Sequence, residues 1–256
     1  MAVTPIQLNP DGEYISLIPV SCLHVGSADF NKRRALAMRQ KILDTPDCYT
    51  WDLGDQTENG LRDSPGTSVF RQVLSPSEQD EWLEDYYKPL ADRGKLLGLH
   101  NSNHSYRTEK AADQSPVRHT AKYLGVPYLG WQSVLSIKVG ENHKRRYNLF
   151  STHGNCNART EGAVVNYLLK LRELVDLCDC YICSHVHRRI GPVERVISLP
   201  GKTKIKEHRA YFMSIGGFLN YGGYAEMLNL PRPVNGTVEI RLYQTEPHVE
   251  IHPVDI

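Results

Sequence analysis

The chain has 256 residues, 40% of them hydrophobic and 23% charged, and its 30 basic and 29 acidic residues leave a formal net charge of +1. Apolar content of this order supports a sizeable core and excludes disorder over most of the length. The balanced charge argues against a general polyanion-coating role, and no apolar run approaches the roughly 18 residues of a membrane span.

The opening MAVTPIQLNPDGEY has neither a basic n-region nor an apolar h-region, so no secretory signal is expected. Tyr14–Val20 (YISLIPV) reads as a buried strand. A helix follows over Asn31–Leu43 with Ala35, Met38 and Ile42 on one face, then a strand over Cys48–Leu53. Ser75-Pro76-Ser77-Glu78 carries a helix start, with a Ser cap, Pro at the first helical position and Glu three after the cap. Trp82, Tyr86 and Leu90 continue that helix at a spacing of four, and Lys95–His100 is the third strand. Ser133–Val139 and Arg146–Thr152 flank the polar turn GENHKR as a hairpin, whose tip from His143 to Arg146 reads as solvated rather than as a nucleic-acid reader. Gly162–Leu177 places Val164, Leu168, Leu171 and Val175 on one helical stripe, and Asp179–Cys183 is the next strand. Strands then dominate, over His208–Ile215, Tyr224–Leu228, Thr237–Tyr243 and Val249–Val254. This order, without repeats or a Pro/Gly/Ser linker, predicts one α/β domain with mixed sheets over residues 1–256.

Six cysteines are too sparse for a disulfide scaffold. Cys178, Cys180 and Cys183 read as soft fillers of a buried strand, since no second thiolate pair stands at zinc-finger spacing. A reducing cytoplasm is the expected compartment.

Polar clusters follow the strands, at the edge where α/β folds place ligands. They are Ser21-Cys22-Leu23-His24, Gly54-Asp55-Gln56-Thr57-Glu58, Asn101-Ser102-Asn103-His104, Ser151-Thr152-His153-Gly154 and Ser184-His185-Val186-His187. One histidine after a strand is more often structural. His185 and His187 form a stronger pair, because neighbours two apart on an extended segment point the same way. Five such clusters are hard to explain by packing, since every buried imidazole needs a partner. A metal centre satisfies them together.

The order Cys22-x-His24, Gly54-Asp55, Asn103-His104, His153 and His185-x-His187 resembles the calcineurin-like metallophosphoesterases. Their pattern is D-x-H, G-D-x-x-D/E, G-N-H-D/E, H and G-H-x-H. The likeness spans about residues 14–230 and includes HSYRTEK, THGNCNARTEGAVVNYLLK and GGFLNYGGYAEM, which are similar to small stand-alone members of phage and bacterial genomes. It implies a four-layer α/β/β/α sandwich of two mixed sheets flanked by helices, with two divalent transition metals (Mn, Zn or Fe) at its lip. Cys22, His24, Asp55 and His187 would hold the first metal. Asp55, Asn103, His153 and His185 would hold the second, with Asp55 bridging. His104 would stand beside the substrate phosphate as an acid or a cation. The implied reaction is hydrolysis of a phosphomonoester or phosphodiester, a nucleotide or nucleic-acid end among them, by a metal-bridging hydroxide. No membrane partner is expected.

Four residues depart from the pattern. Cys22 replaces Asp, and it either ligates a softer metal, stays uncoordinated, or leaves the first site empty. Ser102 and Ser184 replace glycines, at a cost of about 1–2 kcal/mol wherever φ is positive. Ser105 replaces the acid after His104, whereas Glu58 keeps its acidic position. Arg107, Arg159 and Arg188 each follow a motif and either line the phosphate approach or are solvated loop charges. The alternative function is a degenerate member with weak or no catalysis, acting as a binding or assembly module.

Overall fold

The computed structural model describes residues 1–62, 64, 69–141, 145–198 and 206–255. Parallel strands β2 (Tyr14–Leu17), β3 (Cys48–Asp52), β4 (Leu96–His100) and β5 (Tyr128–Gly130) form most of one sheet. β11 (Thr237–Tyr243) and β12 (Val249–Val254) extend it antiparallel from β2. The second sheet runs β1 (Ala2–Leu8), β6 (Gln132–Val139), β7 (Arg145–Thr152), β8 (Cys180–Cys183), β10 (Lys206–Ser214) and β9 (Val193–Ser198). Its β6/β7 and β10/β9 pairs are antiparallel and the others parallel.

Leu17, Trp51 and Leu53 from the first sheet meet Leu135, Ile137, Leu149 and Ile182 from the second. Each side chain buried this way is worth about 1.5–3 kcal/mol. On the first sheet's outer face lie α1 (Lys32–Asp44), α2 (Pro76–Asp92) and α4 (Pro116–Leu124), which bury Met38, Ile42, Leu83, Leu90 and Val117. The second sheet is covered by α5 (Glu161–Lys170), with Val164 and Leu168 against Phe150, Tyr181 and Phe212. The result is a four-layer α/β/β/α sandwich. Asn31 caps α1, and Ser75 and Glu78 form the expected capping box on α2. Cys178, Cys180 and Cys183 are free and buried, as a filled strand requires.

Two expectations need correction. The helix expected over Gly162–Leu177 ends at Lys170 and tightens into a 3₁₀ turn over Leu171–Glu173, because Leu174 and Leu177 are exposed and Leu177 turns left-handed at φ 63°. The stripe survives, with Leu171 buried and Val175 packed at its edge. The segment expected as a strand, Tyr224–Leu228, is instead helix α6 (Gly223–Met227), where Ala and Met favour a helical turn. Helix α3 (Asn103–Ala112) occupies a stretch with no expected element. Of the hairpin tip, residues 142–144 lie outside the described residues, and Arg145 and Arg146 belong to β7.

No helix among the described residues is long and apolar enough to cross a membrane.

Candidate metal centre

The ladder between β2 and β3 continues beyond both strands. Cys22 N donates to Gly54 O at 2.9 Å, His24 N to Asp55 O at 3.0 Å, and Glu58 N to Val25 O at 2.8 Å. From the second sheet, Ser184 N donates to His153 O at 3.1 Å, which joins the loops after β7 and β8. Donors from both sheets thus meet at one edge. Among the described residues, three groups have donor atoms within 4.8 Å of one another: Cys22, His24 and His187; Cys22, Asp55 and His153; and His24, Glu58 and His104.

The backbone there is strained. Cys22, His24, Asp55, His185 and His187 have φ of 52°, 50°, 52°, 69° and 51°, half of the ten non-glycine residues with positive φ among those described. Each costs on the order of 1–2 kcal/mol, and such strain concentrates where a site over-determines the chain. His185 and His187 therefore do not share an extended segment as expected: left-handed turns send one to His153 and the other to His24.

Hydrogen-bond partners fix the imidazole tautomers. His153 Nδ1 lies 2.9 Å from Leu53 O, which only accepts, so Nδ1 carries the proton. Its Nε2 then faces Asp55 Oδ2 and His185 Nδ1, each at 3.1 Å. Likewise His24 Nδ1 donates to Glu58 Oε2 at 3.0 Å, leaving Nε2 3.3 Å from His187 Nε2 and 3.7 Å from Asp55 Oδ2. Two sets of lone pairs converge with nothing between them but a proton or a cation. Ligands bound at about 2.1 Å lie roughly 3.0–3.4 Å apart around an octahedral or tetrahedral ion, so the spacing suits a metal. The donor set of imidazole, carboxylate and thiolate fits zinc, iron or manganese.

Charges follow the same geometry. Burial pushes the Cys22 thiol up, but the charge and hydrogen bond of His187 and the hydrogen bond of His24 outweigh it, and the thiol lies well below its ordinary value. Burial likewise opposes ionisation of Asp55, and His104, His153 and His24 hold it well below the carboxylate range. His153, against its own burial, is pushed up to about 9 by Asp55. His104 is pushed down to about 4 by burial.

His104 sits 3.9 Å from Asp55 Oδ2, with Nδ1 bound to Glu58 O at 2.8 Å and Nε2 3.3 Å from Arg107 Nη2. With the proton on Nδ1, Nε2 is the acceptor. Arg107 also donates to Glu58 O at 2.8 Å. Arg107, Arg159 and Arg188 line one cavity of about 460 Å³ with His24, Asp55, His104, His185 and His187, so all three approach the cluster. Asn103 is exposed at the start of α3 and, with His185, lines an adjoining cavity.

Neither serine replacement is strained. Ser102 has φ −149°, and Ser184 is not among the residues with positive φ. Ser184 Oγ instead lies 2.7 Å from Ser21 Oγ and 3.0 Å from His153 Nδ1, tying the two sheets together behind the donors. No pattern in the sequence marks that serine pair, or the buried Asp52, which accepts from Gly54 N at 2.6 Å and from Tyr87 and braces the same turn.

The sandwich, and the placing of the donor loops along its edge, match what the resemblance implies. No family model matches the chain, and no curated protein does. Vps29 of Entamoeba histolytica, solved with zinc, is 12% identical over 94% of this chain and 99% of that one, with a TM-score of 0.42. The nuclease MPE of Pseudomonas putida is 16% identical over 93% and 87%, with a TM-score of 0.37. A metallophosphoesterase of Sphaerobacter thermophilus is 11% identical over 94% and 88%, with a TM-score of 0.45. Likeness at this level speaks to neither activity nor substrate.

Proposed function

We propose that the chain is a metal-dependent phosphoesterase with a two-metal centre. Cys22, His24, Asp55 and His187 hold the first ion, and Asp55, Asn103, His153 and His185 hold the second. The reading is carried by the Nε2 atoms of His24 and His153, each turned inward by the contact its Nδ1 makes and each aimed at Asp55 and a second imidazole, where a cation would take the place of a proton. A carboxylate or carbonyl behind a ligating histidine is the usual way to orient it.

Bound divalent cations supply Lewis acidity, neutralising phosphoryl charge and lowering the pKa of a water from about 15.7 towards 7. The chain's own groups do the rest. Glu58 orients His24, and Leu53 O orients His153. His104 is held by Glu58 O with Nε2 turned towards Arg107, where it is placed to exchange a proton with an ester oxygen. Arg107, Arg159 and Arg188 put guanidinium groups, fitting partners for a phosphoester anion, on the wall of a cavity that also holds Asp29, Asp55 and Glu58.

Hydrolysis of an aryl phosphodiester, before and after chelation and on adding back Mn²⁺ or Zn²⁺, tests the reading. Chelation should abolish turnover and one of the two metals restore it. Tight metal binding without turnover would favour the alternative of a degenerate binding module, which the cysteine at position 22 supports.

A further inference from the structure

Next to the arginine-lined cavity, and sharing Asn157 and His185 with it, lies a second cavity of about 730 Å³. That volume is in the range of about 300–1,000 Å³ typical of small-molecule sites. Its lining includes Asn103 and His185 together with Trp131. Trp131 is 46% exposed, and Tyr106, 48% exposed, meets it edge-on at 5.6 Å and 72°. Trp131 thus offers open indole surface on the cavity wall, and an exposed aromatic ring there is a ready stacking partner.

The platform is rigid on both sides. Gly130 O accepts from Asn101 N and faces His100 Nδ1, both at 2.9 Å, and Trp131 O accepts from Thr152 Oγ1 at 2.9 Å. Tyr106 stands in the first turn of α3 with Asn103 and His104, its N donating to Ser102 O at 3.0 Å. The rest of the wall mixes amides and apolar surface, with Gln132, Asn155, Asn157 and Leu174 beside Lys170. Amides offer both donors and acceptors, as the edge of a nucleobase does.

We infer that this cavity is a nucleobase subsite: the nucleoside part of a phosphoester stacks on Trp131 while its phosphoryl group reaches the donor cluster. The inference rests on the phosphoesterase reading and narrows its substrate to a nucleoside ester. Base stacking on an aromatic side chain gives sequence-tolerant affinity.

Calorimetric titration of the Mn²⁺-loaded protein with adenosine 5′-monophosphate and with ribose 5-phosphate tests it. The nucleotide should bind about 10–100-fold more tightly than the base-free sugar phosphate. Trp131→Ala should erase that advantage while leaving ribose 5-phosphate affinity unchanged, and Trp131→Phe should keep most of it. Equal affinities in the wild type, or an advantage that survives Trp131→Ala, would overturn the subsite. Turnover of a simple aryl phosphodiester by the same wild-type protein is read separately. Its absence counts against the enzyme, whereas the binding ratio alone decides the subsite.

Discussion

Cys22 carries a thiol where the resemblance expects a carboxylate, and its sulfur stands in two of the three close-donor groups among the described residues. Sulfur is the softer ligand, so the wild type should favour zinc or iron over manganese. Cys22→Asp should shift that preference towards manganese, and Cys22→Ser should lower occupancy. Elemental analysis of the three proteins reads this, and identical metal content would remove the thiolate from the site. His104 is placed on the substrate side, so His104→Ala should leave metal content unchanged while turnover falls about 10²–10⁴-fold. Parallel loss of metal would make it a ligand. Asp52 gives a pH signature. Burial raises it to about 7, against the donors Tyr87, Gly54 N and Gln56. An unfolded Asp titrates near about 3.9, so between that pH and about 7 the folded state keeps a proton that the unfolded state has lost. Stability from this group is therefore full below pH ~4 and falls by up to about 1.4 kcal/mol per unit until about pH 7. Denaturation of wild type and Asp52→Asn across this range should show their stability difference changing there and level above it; a constant difference would contradict the assignment.

At the scale of elements, the turn after β3 fixes the site. Gly54 has φ 105°, and a Cβ there would lie 2.8 Å from Ser102 Cβ and from His153 Nδ1. Gly54→Ala should cost about 1–3 kcal/mol and reduce metal occupancy, read by thermal melting and elemental analysis. An unchanged melting temperature with full metal would show that the loops yield freely. Much of this level was legible in the sequence. The period of α1, the capping box of α2 and the apolar runs of β2, β3, β4 and β8 name their elements directly. Helix α3 was not legible, because only Ser105 of its ten residues is buried and no apolar stripe marks it. Strand β1 escaped too: it lies at a sheet edge, mostly exposed, where Pro5 is tolerated. The order of the donor loops was readable, but the left-handed backbone of Cys22, His24, Asp55, His185 and His187 was not, because no local residue preference encodes it. It arises from the convergence of loops distant in sequence.

At the scale of the molecule, the candidate centre joins the two sheets. Cys22, His24 and Asp55 come from loops of the first sheet, and His153, His185 and His187 from loops of the second. Only Asp55 contacts imidazoles from both sides, at 3.7 Å to His24 and 3.1 Å to His153, among the described carboxylates. One carboxylate shared by both ions is the central claim, and metal stoichiometry tests it most directly. Elemental analysis should find two divalent ions per wild-type chain, with both lost in a folded Asp55→Ala variant. Two ions retained in Asp55→Ala, or none in the wild type after loading, would contradict it.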